Sequence, residues 1–343
     1  MAWFPPGVTP PAKLIAMAQH RAAMRIGGGA ASRPGAREAA SLAIPGRARC
    51  SARRRDARSR AALEDKDLTF NTTTVVENRP ASADGVLRTL LLSVDDDVRQ
   101  LSGRKFGSIP SLERLENPRW IDAFNQPGQY VIARNAEGAK ERVVLASTPY
   151  DAHKDSAFLS ASKVQILVDR NNTGGLNLGN LAPGDQFESS EVLGRGFQSL
   201  FHEEDRLGLS LEEGKNLVLV ASGTGIGPIR AVADWAPVQA YAGNGHVVSL
   251  FYHYESLESA AYVDEFQSWR EAGIHVRPCQ GKDASVIEGE LFDQKGEVRS
   301  TIVKPDTDPS FLISGFPGKV TARLSRLLSN NGISGNRVFY CDF

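Results

Sequence analysis

The stretch Asn216-Leu-Val-Leu-Val-Ala-Ser-Gly-Thr-Gly-Ile-Gly-Pro228 decides how the second half of this chain folds. Its first part, up to Ala221, is a mostly apolar run typical of a strand that is buried on both faces. The residues Ile229–Trp235 that follow space their apolar side chains for a helix, and Pro228 suits a first helical turn. The glycine-rich loop therefore joins a buried strand to a helix N-terminus, where backbone N–H groups and the helix dipole favour an anion. We expect a nucleotide phosphate there, with a tight structural turn as the alternative, because the spacing departs from Gly-x-Gly-x-x-Gly.

Strand and helix patterns alternate through the rest of this half. Apolar strand patterns lie at 247–252, 273–277, 311–315 and 337–340, and helical patterns at 260–271 and 317–330. Such alternation predicts a doubly wound parallel sheet of the nucleotide-binding type.

The preceding part of the chain has a different character. Short alternating segments at 87–94, 130–133, 142–146 and 164–168 are separated by Gly, Pro and Asn turns. This spacing predicts a small antiparallel β-barrel. We place the barrel domain at residues 65–208 and the nucleotide-binding domain at residues 212–343.

Several motifs in these two parts resemble the ferredoxin–NADP reductase superfamily. They are Val220–Pro228, Tyr262-Val-Asp-Glu-Phe266, Ser314-Gly-Phe-Pro317, Pro127-Gly-Gln-Tyr130, Leu145-Ala-Ser147 and the segment from Gly174-Gly-Leu to Leu181-Ala-Pro-Gly-Asp185. The segment Glu191-Val-Leu-Gly-Arg-Gly-Phe197 is closer to dihydroorotate dehydrogenase electron-transfer subunits and plastid reductase-like proteins. The resemblance covers roughly residues 85–343 and implies a flavin-binding barrel followed by an NAD(P)-binding domain.

The resemblance also implies two sets of cofactor-binding residues. The flavin, FAD or FMN, would lie against Tyr130, Arg142, Ala146, Ser147, Gly174, Gly175 and Leu176, with Phe343 stacked on its ring. The dinucleotide, NADP or NAD, would lie against Gly223, Thr224, Gly225, Ile226, Gly227, Pro228, Ser259, Tyr262, Ser314, Gly315, Phe316 and Pro317. Thr224 would contact the pyrophosphate and nicotinamide, and Ser314 stands where relatives place a Cys beside nicotinamide C4. These two residues are the candidate catalytic residues.

The chain departs from the family pattern in the barrel. Relatives carry Arg-x-Tyr-Ser before Ala-Ser, and alignment on Ala146 puts Glu141, Val143 and Val144 at those three positions. We expect Arg142 to replace the missing phosphate-binding arginine only if its strand bulges. No aromatic platform for the flavin is present at the usual position.

The choice between NADPH and NADH stays open at this stage. After the second strand of the nucleotide-binding domain, Ser256 and Ser259 favour a 2′-phosphate, whereas Glu255 and Glu258 oppose one. Tyr262 is expected to stack on adenine or to be buried in its helix.

Charge is distributed unevenly, although the whole chain has a formal net charge of zero. Residues 1–60 hold twelve Lys and Arg and only Glu38 and Asp56, for a net charge of +10. An Arg-rich, acid-poor, Ala-rich segment predicts a transit peptide, for the chloroplast or alternatively the mitochondrion. A basic arm for nucleic acid is the other interpretation, but the acidic balance of the remaining residues disfavours that partner.

Composition excludes several other classes of protein. Cys50, Cys279 and Cys341 are scattered and form no Cys-x-x-Cys, which argues against a disulfide framework, a zinc site or an iron–sulfur cluster. We therefore expect no metal and, since no apolar run nears eighteen residues, no transmembrane segment.

The sequence thus predicts a flavin-dependent oxidoreductase that transfers hydride between NAD(P)H and flavin. The electrons would pass to an unidentified acceptor, for which a ferredoxin-like protein is one candidate. The rival hypothesis is a degenerate, non-catalytic module that binds nucleotide or a partner protein. We also expect Gly225→Val to weaken dinucleotide binding and to spare the flavin, whereas a merely structural turn would lose both.

Overall fold

The computed structural model describes residues 68–96, 119–156, 161–172, 176–197, 215–292 and 309–341. These ranges belong to one compact unit, residues 64–343. The predicted transit peptide lies outside the described residues, as do Gly174, Gly175 and Phe343.

The first layer is an antiparallel sheet. Its strands are β1 (Phe70–Pro80), β2 (Leu87–Asp95), β3 (Tyr130–Arg134), β4 (Lys140–Val144), β5 (Ala161–Asp169) and β6 (Gln186–Ser190). Among the described residues they form six strands in the order β4-β3-β6-β1-β2-β5. The predicted antiparallel architecture is confirmed, and β1 and β6 are strands that the sequence patterns did not reveal.

This sheet curls around its own apolar core. Leu90, Leu92 and Val94 alternate along β2 and are buried in one cluster with Val164 and Ile166 of β5. The edge strands meet through a bridge between Leu145, just beyond β4, and Ile166. Buried and less buried residues thus alternate along these strands, which indicates that each strand has one buried face, as in a small barrel.

The second layer is a parallel sheet. Its strands are β7 (Leu217–Ser222), β8 (Val248–Tyr254), β9 (Ile274–Gln280), β10 (Ser310–Ser314) and β11 (Val338–Tyr340). They lie in the order β11-β10-β7-β8-β9, so the chain reverses its direction of winding between β7 and β10. The predicted doubly wound sheet is confirmed, and such a reversal point is where open parallel sheets bind ligands.

Helices pack around the sheets. They are α1 (Pro149–Ser156), α2 (Ile226–Ala233), α3 (Ala236–Gly243), α4 (Phe266–Glu271), α5 (Ser285–Phe292) and α6 (Gly318–Asn330). The single helix predicted over 260–271 is wrong in its first half. Tyr262 has a left-handed backbone with φ of 59°, a 3-10 turn covers Val263–Glu265, and the α-helix begins only at Phe266.

One buried apolar cluster contains residues of both layers. Val144, Ala146 and Leu167 of the antiparallel sheet belong to the same buried cluster as Leu219 of β7 and Ile226 of α2. Within the described residues, no helix is long and apolar enough to cross a membrane. The same residues hold no group of three or more His, Cys, Asp or Glu side chains arranged for a metal ion.

Candidate functional site

The carboxyl ends of β7 and β10 lie side by side at the reversal point. Ala221 and Ser314 face each other in the parallel register. After β7, the residues Gly223–Gly225 form a 3-10 turn that leads directly into α2. The glycine-rich loop and the Ser314-Gly-Phe-Pro317 motif are therefore brought together by the topology.

Two glycines allow these motifs to touch. A Cβ on Gly225 would lie 2.4 Å from the carbonyl carbon and oxygen of Ser314 and 2.5 Å from the Cα of Gly315. A Cβ on Gly315 would lie 2.1 Å from the carbonyl oxygen of Ser222. Gly225 is thus required by the protein backbone itself. The expectation that it leaves room for the cofactor is corrected, because the space beside it is already filled.

Gly223 is the glycine on the open side of the loop. Its φ is +52°, and a Cβ added to it would meet no atom within 4 Å. Thr224 beside it is half-buried, whereas Ile226, Gly227 and Pro228 are buried. The outer surface of the turn at Gly223 and Thr224 is consequently the part of the loop that a ligand can approach.

Ser314 is buried, with 1% of its surface exposed. Among the described residues its hydroxyl has no hydrogen-bond partner. Phe316 is half-buried against the core, and Pro317 is exposed and caps α6. Buried hydroxyls are nearly always paired, and the described hydroxyls of Ser249 and Ser310 in the same sheet also lack a partner.

On the barrel, Tyr130 and Arg142 lie on one face. Strands β3 and β4 pair in continuous register, with Tyr130 opposite Val144 and Ile132 opposite Arg142. The Arg142 guanidinium lies 4.5 Å from the centroid of the Tyr130 ring. Gly194 covers part of that ring, since its Cβ would lie 2.7 Å from a ring carbon. Strand β4 therefore has no bulge, and Arg142 lies on the Tyr130 face in regular register. Its role as a replacement for the missing phosphate-binding arginine stays a prediction.

Glu141 and Val143 lie on the opposite face of β4. Val143 is buried in the barrel core. Glu141 accepts a hydrogen bond from the Asn172 side chain at 2.8 Å, and burial raises the pKa of its carboxyl group. The two positions at which relatives carry the phosphate arginine and the flavin-stacking tyrosine thus serve the barrel's own structure.

The dinucleotide loop and the barrel are in direct contact. A Cβ on Gly227 would lie 3.2 Å from the Cβ of Ala146 and 3.1 Å from that of Leu167. Ala146 donates its N–H to the carbonyl of Gln165 at 2.7 Å, and the Ser147 hydroxyl accepts from the Gln165 N–H at 3.2 Å. The two predicted cofactor regions therefore adjoin at Ala146 and Gly227.

Tyr262 is not available to stack on adenine. Only 5% of its surface is exposed, and its hydroxyl lies 2.9 Å from the Thr89 hydroxyl of the barrel. Burial raises the pKa of Tyr262, and its ring carries the Arg230 guanidinium 4.8 Å from its centroid. The predicted adenine contact is therefore corrected, because Tyr262 packs between the two layers. Ser259, also a predicted contact, donates its hydroxyl to the Ser256 carbonyl at 2.8 Å.

Leu176 is buried in the barrel core, so its side chain does not face a ligand. The backbone that follows turns at Asn177, whose φ is 49°, into a 3-10 turn at Leu178–Asn180. The glycine pair expected to receive the flavin phosphates precedes Leu176, outside the described residues.

The structure adds two polar clusters that the sequence motifs did not reveal. In one, Arg230 bonds Glu265 at 2.6 Å and Gln165 at 3.1 Å. In the other, His253 of β8 bridges the Ser222 hydroxyl and the Gly281 carbonyl. In the sequence, Arg230 is a single charged residue in an apolar helix and His253 a single histidine in an apolar strand. Their partners are distant in sequence, so the sequence patterns did not predict either cluster.

Comparison with known proteins places this fold. No protein-family model matches the sequence. The chain is similar to the gamma subunit of sulfhydrogenase 2 from Pyrococcus furiosus, with 22% identity over 267 residues, 71% of this chain and 80% of that subunit.

Solved structures of ferredoxin–NADP+ reductases are also similar. The enzyme from Neisseria gonorrhoeae, solved with bound FAD and NADP, aligns with a TM-score of 0.53 and 14% identity over 79% of this chain and 97% of that one. The enzyme from Plasmodium falciparum aligns with a TM-score of 0.52 and 11% identity over 79% of this chain and 95% of that one. The described chain has the ferredoxin–NADP+ reductase fold, as the motifs predicted.

Proposed function

We propose that this protein is a flavin-dependent NAD(P)H oxidoreductase that passes electrons to a separate acceptor. One observation carries the proposal. The glycine-rich loop at the reversal point of the parallel sheet contacts the barrel at Ala146, so a dinucleotide on the loop and a flavin on the barrel would be neighbours. Hydride transfer needs such proximity more than it needs acid–base groups.

The described residues fit a nicotinamide dinucleotide. Gly223 and Thr224 present the open side of the loop, and Ser314 offers a buried hydroxyl with no partner among the described residues. The reductase from Neisseria gonorrhoeae, which shares the fold, contains NADP. Thr224 would hold the pyrophosphate through its hydroxyl, and Ser314 would donate a hydrogen bond to the nicotinamide end.

The barrel fits a flavin through a modified set of residues. Arg142 is exposed on the Tyr130 face and would supply positive charge to the flavin phosphates. Tyr130 would offer the apolar surface beneath the flavin ring system, and the gonococcal reductase contains FAD. When bound, the flavin would supply the two-electron chemistry, and the packed side chains of Ala146 and Leu167 would keep water out.

The colour of the purified full chain tests this function. We expect a yellow protein whose flavin absorbance bleaches when NADPH or NADH is added without oxygen. Ser314→Ala should keep the flavin but bleach more slowly, because only the dinucleotide loses a hydrogen bond. A colourless protein that takes up neither FAD nor FMN would contradict the proposal.

A second candidate is a non-catalytic module that binds nucleotide or a partner protein. The specific observation in its favour is that Glu141 and Val143 occupy the arginine and tyrosine positions and face away from Tyr130. Calorimetry and ferricyanide reduction separate the two candidates. Dinucleotide binding without turnover would favour the module, and brisk turnover would exclude it.

For the electron acceptor we propose a class of protein. We propose a small one-electron carrier such as a ferredoxin-like protein, because solved structures that share this fold are ferredoxin–NADP+ reductases. Reduction of an added plant-type ferredoxin by NADPH, followed optically, tests this choice. Turnover with ferricyanide but not with ferredoxin would point to another acceptor.

A further inference from the structure

His253 occupies a bridging position at the carboxyl edge of the parallel sheet. It lies opposite Ser222 in the pairing of β7 and β8. Its Nδ1 is 2.9 Å from the Ser222 hydroxyl oxygen, and its Nε2 is 3.1 Å from the Gly281 carbonyl oxygen. With 8% of its surface exposed, the imidazole is held at both nitrogens by these two groups.

The Gly281 carbonyl fixes which nitrogen carries the proton. A carbonyl oxygen can only accept, so Nε2 must donate to it. Neutral His253 then has a bare Nδ1, which can only accept, and the Ser222 hydroxyl must donate to it. In this state the outward side of the Ser222 oxygen presents lone pairs alone.

Protonation of His253 reverses the role of Ser222. The imidazolium donates from both nitrogens, to the Gly281 carbonyl and to the Ser222 oxygen. The hydroxyl proton of Ser222 is thereby released and becomes available to an acceptor outside the pair. Both N–H groups of the charged ring stay hydrogen-bonded, so the protonated form leaves no buried donor unpaired.

Ser222 borders the open side of the glycine-rich turn. It is half-buried and immediately precedes Gly223, whose Cβ would enter open space. The diphosphate of the proposed dinucleotide is the anionic group expected at this turn. A diphosphate oxygen accepts hydrogen bonds and never donates them, so it binds well to a donating Ser222 and is repelled by one that presents lone pairs.

We propose that Ser222 hydrogen-bonds a diphosphate oxygen of the bound dinucleotide, and that His253 is a positioning residue whose protonation turns the Ser222 hydroxyl toward that oxygen. This inference rests on the proposed function of the loop. It adds a ligand contact that the Gly-x-Gly-x-Gly-Pro motif does not contain, and it makes dinucleotide affinity depend on pH.

Several titratable groups surround His253. The exposed carboxylate of Asp283, on the segment after β9, interacts electrostatically with His253. Lys282 precedes it on the same segment. Cys279 lies opposite His253 on β9, and burial raises the pKa of its thiol to about 12, so it remains neutral. Tyr252 and Tyr254 flank His253 on β8, and burial raises the pKa of both phenols.

The test measures the dissociation constant of NAD+ for the full chain by calorimetry between about pH 5.5 and about pH 8.5, the range over which histidine titrates. NAD+ is the probe because its diphosphate keeps its charge throughout this range, whereas the 2′-phosphate of NADP+ does not. Gain of one charge-assisted hydrogen bond predicts binding about tenfold tighter at the acidic end.

Three variants complete the experiment. Ser222→Ala should bind NAD+ more weakly than the wild type at low pH and at least as tightly at high pH, with little pH dependence. His253→Gln should also lose the pH dependence, because its side chain does not titrate. His246→Gln is the matched control, since His246 stacks on Tyr241 with ring centroids 4.1 Å apart and should keep the wild-type profile.

The outcomes distinguish this inference from the proposed function. A wild-type affinity that is independent of pH, or a pH dependence that survives Ser222→Ala, overturns the role of Ser222 and His253 alone. Failure to bind NAD+ or NADP+ at any pH overturns the proposed function and this inference together.

Discussion

Gly225 shows how a motif glycine can serve the protein's own packing. Its missing Cβ leaves room for the backbone of Ser314 and Gly315, and the pair joins the ends of β7 and β10. The Gly-rich pattern predicts a close approach, but a sequence cannot say whether ligand or protein fills the space. The predicted selective effect of Gly225→Val on dinucleotide binding is therefore replaced by a different expectation.

Gly225→Ala should destabilise the fold by about 3 kcal/mol, because the added methyl group must displace backbone. Gly223→Ala is the matched control and should cost about 1 kcal/mol, the strain of a left-handed backbone in a residue with a Cβ. Denaturant unfolding of both variants measures the difference. Equal stabilities would show that the contact between Gly225 and Ser314 does not hold the loop.

For Arg142, the alternation of side chains along its strand predicts the position better than alignment with the family motif does. Alignment on the Ala-Ser motif puts Arg142 one residue away from the family's arginine position. Arg142 and Val144 are two residues apart on one strand, however, so they lie on the same face. Charge on that face is what a flavin phosphate requires, whichever residue of β4 supplies it.

Arg142→Gln should weaken FAD binding about tenfold, through loss of a charge-assisted hydrogen bond. Arg134→Gln on the neighbouring strand is the control, because Arg134 pairs with Glu188 at 2.6 Å and stacks on Phe70. Quenching of flavin fluorescence on titration gives both affinities. If the two variants lose FAD equally, Arg142 is not the phosphate contact.

Strands were easier to predict than helices in this chain. Those of the parallel sheet are mostly apolar, and their bounds differ from the predicted ones by three residues at most. Helices α3 and α5 were not predicted, since Ala236–Gly243 and Ser285–Phe292 lack a clear polar face in sequence. Tyr262 has a left-handed backbone and contacts Thr89, which is 173 residues away in sequence, so no local pattern contains this contact.

Arg230 on α2 ties three elements together, and its removal tests that link. It bonds Glu265, before α4, and Gln165 of β5. Arg230→Met leaves the partly buried Glu265 carboxylate unpaired and should destabilise the protein by about 3 kcal/mol at neutral pH. Arg230→Met combined with Glu265→Leu should recover most of that loss.

The same variant should depend on pH in a defined direction. Burial raises the pKa of Glu265 even beside Arg230, and without the arginine that rise should be larger. When the pKa of a carboxyl group is higher in the folded state than in the unfolded state, the free energy of unfolding falls as the pH rises between these two pKa values. The Arg230→Met variant should therefore be closer to wild type near pH 4 than near pH 7, as thermal unfolding at both values would show. A deficit that is constant with pH would assign the loss to packing.

At the scale of the whole chain, the uneven distribution of charge suggests where the protein is targeted. The +10 charge of residues 1–60 contrasts with the −10 charge of the remainder, and we propose that this segment directs import into the chloroplast. A fluorescent reporter fused to residues 1–60 should enter the plastid, and a reporter of equal length with its arginines changed to glutamine should not. Import into mitochondria would select the alternative, and a cytosolic reporter would exclude a transit peptide.

The contact of Gly227 with Ala146 and Leu167 limits the exchange of either half for an unrelated domain. Each half has a buried apolar cluster of its own, and a further cluster is built from residues of both halves. A recombination that joined this nucleotide-binding half to an unrelated barrel would set Gly227 against side chains not shaped for it. A larger side chain at Ala146, Leu167 or Gly227 would therefore call for a compensating change at one of the other two positions, which couples the sequences of the two halves.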